Sequence, residues 1–195
     1  MFSYLPVLTF AVIVLCWITF GIVFSVQGKP SAAPTQKRER KSFIGIALQG
    51  AGYALVWIIH RRFFSPIAEL GDAAQLALAV LAVVLAIGSV WFCTAAVRVL
   101  GKQWSLQARV VEGHQLITQG PYRIVRNPIY TGMLGMLLAT GLAVSHWIGL
   151  LLGIVVFALG TFIRVRSEEK LLRETFGSQW TDYTRKVRAV IPFFI

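Results

Sequence analysis

The stretch "IYTGMLGMLLATGLAVSHWIGLLLGIVVFALGTFI", residues 129–163, runs for thirty-five positions without an Asp, Glu, Lys or Arg. It reads as two apolar helices, 129–144 and 148–163, joined by the minimal turn Ser145-His146-Trp147. At 1.5 Å per residue each arm spans roughly 24 Å, short of the roughly 30 Å hydrocarbon core of a bilayer. A tight helical hairpin that only just crosses is the expected result. Gly132, Gly135 and Gly141 on one arm, and Gly149, Gly153 and Gly160 on the other, predict close approach of the two arms.

The rest of the chain has the same character. Of its 195 residues 56% are hydrophobic and 14% charged, where a soluble domain carries about a quarter charged residues. Mean hydropathy is +0.69. Further apolar runs at 4–26, 43–59 and 73–97 complete an all-α integral membrane protein with about five transmembrane helices. The first run lacks a basic leader and is too long for a signal-peptide core, so it reads as a retained helix. Cys16 and Cys93 both fall inside apolar runs, which speaks against a disulfide framework and offers no metal spacing.

Net charge is +11. The basic residues flank apolar spans, so they answer to lipid headgroups and topology rather than nucleic acid. Seventeen of the nineteen Lys and Arg fall in the 28–41 loop, the 98–128 segment and the 164–195 tail; the exceptions are Arg61 and Arg62. With five crossings those three stretches share one side. The positive-inside rule makes that side cytoplasmic, with the N-terminus outside and the C-terminus cytoplasmic. Residues 1–97 then hold three N-terminal helices, and 98–195 hold the polar segments, the hairpin and any chemistry. No window repeats another, against an inverted-repeat transporter.

The hairpin begins at one polar block and ends at the other, so topology brings them together at the cytoplasmic membrane surface. The first block, "GKQWSLQARVVEGHQLITQGPYRIVRNPIY" (101–130), ends in a turn at Gly120-Pro121 and a helix start at Asn127-Pro128, with Asn127 as the expected N-cap. Tyr122, Arg123, Arg126 and Tyr130 crowd that turn; taken singly, each could be an interfacial anchor. In the second block, "FIRVRSEEKLLRETFGSQWTDY" (162–183), Arg164 and Glu168 are four apart and share a helix face. Alone they would be an exposed ion pair worth a few tenths of a kcal/mol. Leu171, Leu172, Phe176 and Trp180 have the spacing of a buried stripe. Glu168-Glu169 at the membrane edge, in a chain with eight acidic residues, suits a cationic ligand group, because carboxylates near a bilayer face protein or a cavity.

"LGKQWS", "HQLITQGPYRIVRNPIY", a short hairpin and "RVRSEEKLLRETFG", in that order, resemble the isoprenylcysteine carboxyl methyltransferase family, part of a group that includes phospholipid N-methyltransferases. The resemblance covers residues 98 to 195. It implies S-adenosylmethionine as cofactor at the cytoplasmic face and a lipophilic or lipidated acceptor reached from the bilayer. Carried over by motif, it implies cofactor contacts from Gln107, His114, Gln115, Leu116, Ile117, Tyr122, Asn127, Pro128, Ile129 and Tyr130. Glu168 would hold the cofactor's amino group, with Glu169 beside it. Arg164 would be the catalytic and acceptor-holding residue, with Arg126 also on the substrate side. Asn127 departs from the family's usual histidine; it can still make hydrogen bonds but carries no proton-transfer role.

A carboxylate acceptor needs no general base, only a cation in a partly dry site, and Arg164 can supply a bidentate partner. An amine acceptor must first lose a proton. Carboxyl methylation of an isoprenylcysteine or similar amphiphile is therefore the leading expectation. Phospholipid N-methylation follows, then methylation of thiols or other small lipophiles. An NADPH-dependent sterol-type reductase would want more Arg and Lys and no acidic pair. A non-enzymatic lipid-binding protein would need neither polar block.

Overall fold

A computed structural model describes residues 4–27, 35–38, 42–62, 65, 71–105, 109–111, 113 and 115–191. Six helices dominate: α1 (Leu5–Gln27), α2 (Ser42–Ile58), α3 (Asp72–Leu100), α4 (Pro128–Val144), α5 (Trp147–Phe176) and α6 (Ser178–Lys186). Helices α1 to α4 lie within a few residues of the runs read from sequence and α5 covers the fifth, because nothing in those runs competes with the helix for backbone hydrogen bonds. A small antiparallel ribbon accompanies this all-helical bundle: β1 (Thr35–Arg38) pairs with β2 (Arg109–Val111). Three helices, α1, α3 and α5, are long and apolar enough to cross a membrane; α2 and α4, at 17 residues each, are shorter.

The links fall at two ends of the bundle. At one end the ribbon ties the α1–α2 link to the segment after α3. At the other, the chain leaving α2 bonds the α4–α5 turn: Arg61 N–H donates to the Val144 carbonyl (2.9 Å) and His146 N–H to the Ile59 carbonyl (2.8 Å). The Arg61 guanidinium also donates to the carbonyls of Leu142 (3.1 Å), Ala143 (2.6 Å) and Ser145 (3.2 Å). The last carbonyls of α4, which no helical N–H can reach, are thus satisfied by a side chain. We call this the far end, and the ribbon end the near end.

Of the hairpin glycines, Gly141 packs one arm on the other, against Leu150 of α5, while four others face different helices. Gly132 and Gly135 press on Cys93 and Ser89 of α3, while Gly153 and Gly160 press on Gly52 and Gly45 of α2. A Cβ on Gly160 would stand 2.7 Å from the Gly45 carbonyl oxygen, and one on Gly52 2.9 Å from that of Gly153. Small residues let backbones approach where lipid supplies no hydrophobic drive. The outcome is two antiparallel pairs, α2 with α5 and α3 with α4, and α1 lying over α3 and α4. Ile13, Cys16, Ala86, Met136 and Ala139 fill one core; Val56, Leu137 and Phe157 fill another. Two polar side chains are paired across helices, as hydrocarbon favours: Trp17 Nε1–H donates to Thr140 Oγ1 (3.0 Å) and Tyr53 Oη–H to the Met133 carbonyl (2.7 Å).

Helix α5 does not stop where its apolar run ends. It continues unbroken from the span through Arg164 and Glu168 to Phe176. Gly177, at φ +52°, then turns the chain into α6, a backbone state that favours glycine. The stripe expected of Leu171, Leu172, Phe176 and Trp180 is therefore split between two helices.

Candidate active site

The near end opens into a cavity of about 430 Å³, within the range of small-molecule sites. Both polar blocks wall it. From the first come Gln115, Leu116, Ile117, Tyr122, Arg126, Asn127, Pro128, Ile129 and Tyr130; from the second, Arg164 and Glu168. These are eleven of the twelve expected positions that fall in described residues. Gln107 and His114 lie outside the described residues. Glu169 is described but does not line the cavity.

The first block is held in place by the end of the chain. Residues 187–190 run alongside 125–127: Val125 bridges Arg188 in parallel, Arg126 N–H donates to the Arg188 carbonyl (2.7 Å) and Asn127 N–H to the Ala189 carbonyl (2.9 Å). Arg126 sends Nε–H to Glu169 Oε1 (2.9 Å), and its Nη1 donates to the carbonyls of Thr184 (3.4 Å) and Val187. Asn127 occupies the expected N-cap position, yet its side chain does not cap. Its Nδ2 donates to the Ala189 carbonyl (3.1 Å) and Glu169 Oε1 (3.4 Å). A cap on α4 would need the amide oxygen as acceptor, whereas the strap 187–190 presents a carbonyl that takes up the amide nitrogen as donor. Arg126 and Glu169 thus form a clamp beneath the motif.

The second block presents the cavity with its ionic groups. Arg164 Nη2 lies 3.5 Å from Glu168 Oε1 on the same helix face, with side chains 6% and 26% exposed. The Tyr130 hydroxyl donates to Glu168, and the Arg164 guanidinium carbon sits 4.9 Å from the centre of the Tyr130 ring, within cation–π range. Behind Arg164, in the protein interior, Gln49 Oε1 accepts from Nη1 (3.1 Å). Tyr183 Oη–H donates to the Tyr122 carbonyl (2.6 Å). Burial pushes the phenols of Tyr122 and Tyr183 above their ordinary range, Tyr122 also feeling the Glu168 carboxylate. Both therefore stand as neutral walls at physiological pH.

Sequence reasoning missed the remaining lining. Phe20, Phe24 and Ser25 from α1, with Leu100, Gln103 and Trp104 from the end of α3, make an aromatic and apolar side. Phe24 stacks between Phe20 (4.8 Å) and Trp104 (5.6 Å). Gln103 Oε1 accepts from the Gln115 N–H (2.6 Å), setting 115–117 against the cavity. Phe20 and Phe24 carry no signal in one sequence, because an aromatic residue in an apolar helix looks the same against lipid or against a ligand. Gln49 did carry one: a carboxamide in mid-helix within an apolar run marks function by default.

The lining suits a nucleoside sulfonium cofactor with a zwitterionic amino-acid end. Glu168 offers a carboxylate for an ammonium group, Gln115 and Asn127 lie along the wall, and Leu116, Ile117, Tyr122 and Trp104 offer apolar faces for a base. The two guanidinium groups on the wall each face a carboxylate, Arg126 on Glu169 and Arg164 on Glu168.

The chain matches the profile of the family described as phospholipid methyltransferase over residues 77–179, more than half its length, and belongs to that family. Among curated relatives it is 32% identical over 88 residues to "Protein-S-isoprenylcysteine O-methyltransferase B" of Arabidopsis thaliana, covering 45% of either chain. It is 35% identical over 82 residues to "Protein-S-isoprenylcysteine O-methyltransferase" of Saccharomyces cerevisiae, covering 41% of this chain and 34% of that one. The match therefore spans less than half the length of either isoprenylcysteine relative. A longer likeness, 26% identity over 164 residues, covers 81% of this chain and 96% of the "Uncharacterized protein YpbQ" of Bacillus subtilis. These findings agree with the family resemblance drawn from the two polar blocks.

Proposed function

We propose that the protein is an S-adenosylmethionine-dependent methyltransferase acting at the cytoplasmic face of its membrane on a lipophilic carboxylate, of which an isoprenylcysteine is the best example. The observation that carries this reading is the convergence of Glu168 and Arg164 on the cavity walled by residues 115–130. In this reading all five apolar helices cross the bilayer, and the near end, which collects most of the basic residues, faces the cytoplasm.

Glu168 holds the cofactor's ammonium group, and Tyr130, by donating to Glu168, keeps that carboxylate turned toward the cavity. Gln115, Leu116, Ile117, Tyr122, Asn127, Pro128 and Ile129 form the bed for the nucleoside. Gln107 and His114 join them from the same block. Glu169 acts at one remove, through the Arg126 clamp that fixes this bed. Bound there, S-adenosylmethionine supplies an electrophilic methyl: an acceptor oxygen bonds to that carbon as the carbon–sulfur bond breaks, and the electron pair returns to sulfur.

Arg164 fixes the acceptor carboxylate in line and balances its charge, assisted by Arg126 at the cavity wall. Both act in a site shielded by Phe20, Phe24 and Trp104. The chain's contribution is alignment and exclusion of water. No proton moves, because a carboxylate acceptor enters the step already ionised.

The matched family's description favours a second reading, methylation of a phospholipid amine. Such an acceptor would need a base, and Glu168, already paired with Arg164 and Tyr130, is poorly placed to serve. The test is to incubate purified protein with methyl-labelled cofactor and either an S-farnesylcysteine or phosphatidylethanolamine, and to identify the product by mass spectrometry. The proposal expects a base-labile methyl ester of the first. Label on the amine alone would replace it with the second reading, and no label in either would overturn both.

A further inference from the structure

We infer that Gln49, in the middle of α2, is a positioning residue that aims the Arg164 guanidinium at the acceptor, so that a helix outside the matched 77–179 region governs acceptor binding. This rests on the proposed role of Arg164 as the residue that holds the acceptor.

Gln49 is 2% exposed in the interior of an otherwise apolar helix. An amide there must be paired at both ends, and it is. Oε1 accepts from Arg164 Nη1 (3.1 Å), and Nε2 donates to Thr161 Oγ1 (2.9 Å). The chemistry fixes which end is which. A guanidinium only donates, so the amide oxygen must face Arg164 and the amide nitrogen must face the hydroxyl.

The reach is set by glycine packing. α2 approaches α5 closely only because Gly45 and Gly160 meet there; a Cβ on Gly160 would stand 2.9 Å from Gln49 N. One turn on from Gly45, the amide then meets Arg164.

The guanidinium is consequently held from three directions: the Tyr130 ring at 4.9 Å, Glu168 at 3.5 Å and the Gln49 amide at 3.1 Å. Glu168 attracts it toward the carboxylate that serves the cofactor. Gln49 holds the other terminal nitrogen, Nη1, without neutralising it. A neutral acceptor suits this task, since a carboxylate at position 49 would compete with an anionic substrate for the same charge. Without Gln49 the guanidinium settles on Glu168, and its charge is withdrawn from the acceptor.

The test uses the full chain in lipid nanodiscs, methyl-labelled S-adenosylmethionine, and an N-acetyl-S-farnesylcysteine as acceptor. In Gln49→Leu, acceptor kcat/KM should fall about tenfold or more, mostly through KM, while S-adenosylhomocysteine affinity moves less than about threefold. In an Arg164→Ala background, Gln49→Leu should change residual kcat/KM by less than about twofold, because its effect travels through Arg164. Thr161→Val, which releases the other end of the amide, provides a milder variant should Gln49→Leu not fold; it should lower kcat/KM about threefold. The inference is overturned if both variants match wild type, if the tenfold loss persists without Arg164, or if cofactor affinity falls in step with turnover. Wild type that makes no methyl ester defeats the acceptor reading and this inference together. Wild type that makes the ester while Gln49→Leu makes it equally well defeats this inference alone.

Discussion

The two ends of this bundle spend arginine differently. At the far end Arg61 caps α4: its guanidinium takes the carbonyls of Leu142, Ala143 and Ser145, and the adjoining backbone closes on the α4–α5 turn. At the near end Arg126 and Arg164 meet carboxylates, and a cavity of about 430 Å³ lies between the blocks that carry them. Both ends place cations at the rim of an apolar bundle. What separates a structural terminus from a candidate site is the partner: a capped helix end uses up its donors on backbone, whereas an acid–base pair beside a void leaves charge facing a ligand.

That contrast can be broken by substitution. The largest effect should come from Glu168→Ala, which removes the carboxylate shared by Arg164, Tyr130 and the cofactor's ammonium. S-adenosylhomocysteine affinity measured by calorimetry should fall about a hundredfold or more, since truncating one member of a desolvated pair leaves the rest unbalanced. Normal binding by this variant would remove Glu168 from the site.

Arg164→Ala should lower turnover by about a hundredfold while leaving S-adenosylhomocysteine affinity within about threefold, a division read by running calorimetry and label transfer on one preparation. Joint loss of both would mean the two roles are not separate. At the far end, Arg61→Met should lower thermal stability through the loss of three hydrogen bonds to backbone, by about 1–3 kcal/mol, with cofactor affinity unchanged. A cofactor effect from Arg61→Met would erase the distinction between the ends.

Between the ends, Gly160→Ala forces a methyl against the Gly45 carbonyl and should cost about 1–3 kcal/mol. Gly50→Ala, with nothing within 4 Å of its Cβ, should stay within about 0.5 kcal/mol. Paired thermal melts decide this, and equal melts would show that the α2–α5 contact is not set by glycine. The smallest effect should be that of Arg185→Ala, whose partner Asp182 lies 3.7 Å away in an exposed pair. Neither stability nor affinity should change measurably.

How much of this was legible beforehand follows from what each residue answers to. The apolar helices follow from hydropathy alone, since long uncharged runs admit few alternatives in lipid. The meeting of residues 115–130 with Arg164 and Glu168 follows from the hairpin, which returns the chain to the end it left. The partners of most hairpin glycines were not legible: a glycine announces that something approaches closely, but not what, and Gly132, Gly135, Gly153 and Gly160 met α3 and α2 while Gly141 met the other arm. Asn127 shows a similar limit. Its place before Pro128 forecast the helix start correctly, while its side chain went to a strap sixty residues later in the chain. Phe20 and Phe24 entered the cavity wall with no sequence signal, and the ribbon of β1 with β2 joins two loops that lie far apart in sequence.

The central claim is that the near end, and only that end, takes up S-adenosylmethionine. Ultraviolet cross-linking of methyl-labelled S-adenosylmethionine to the full chain, followed by peptide mapping, tests it directly. The account predicts label on peptides from 103–130 and 164–183, competed away by S-adenosylhomocysteine. Competable label on the Ile59–Arg61 or 141–150 peptides of the far end would contradict it.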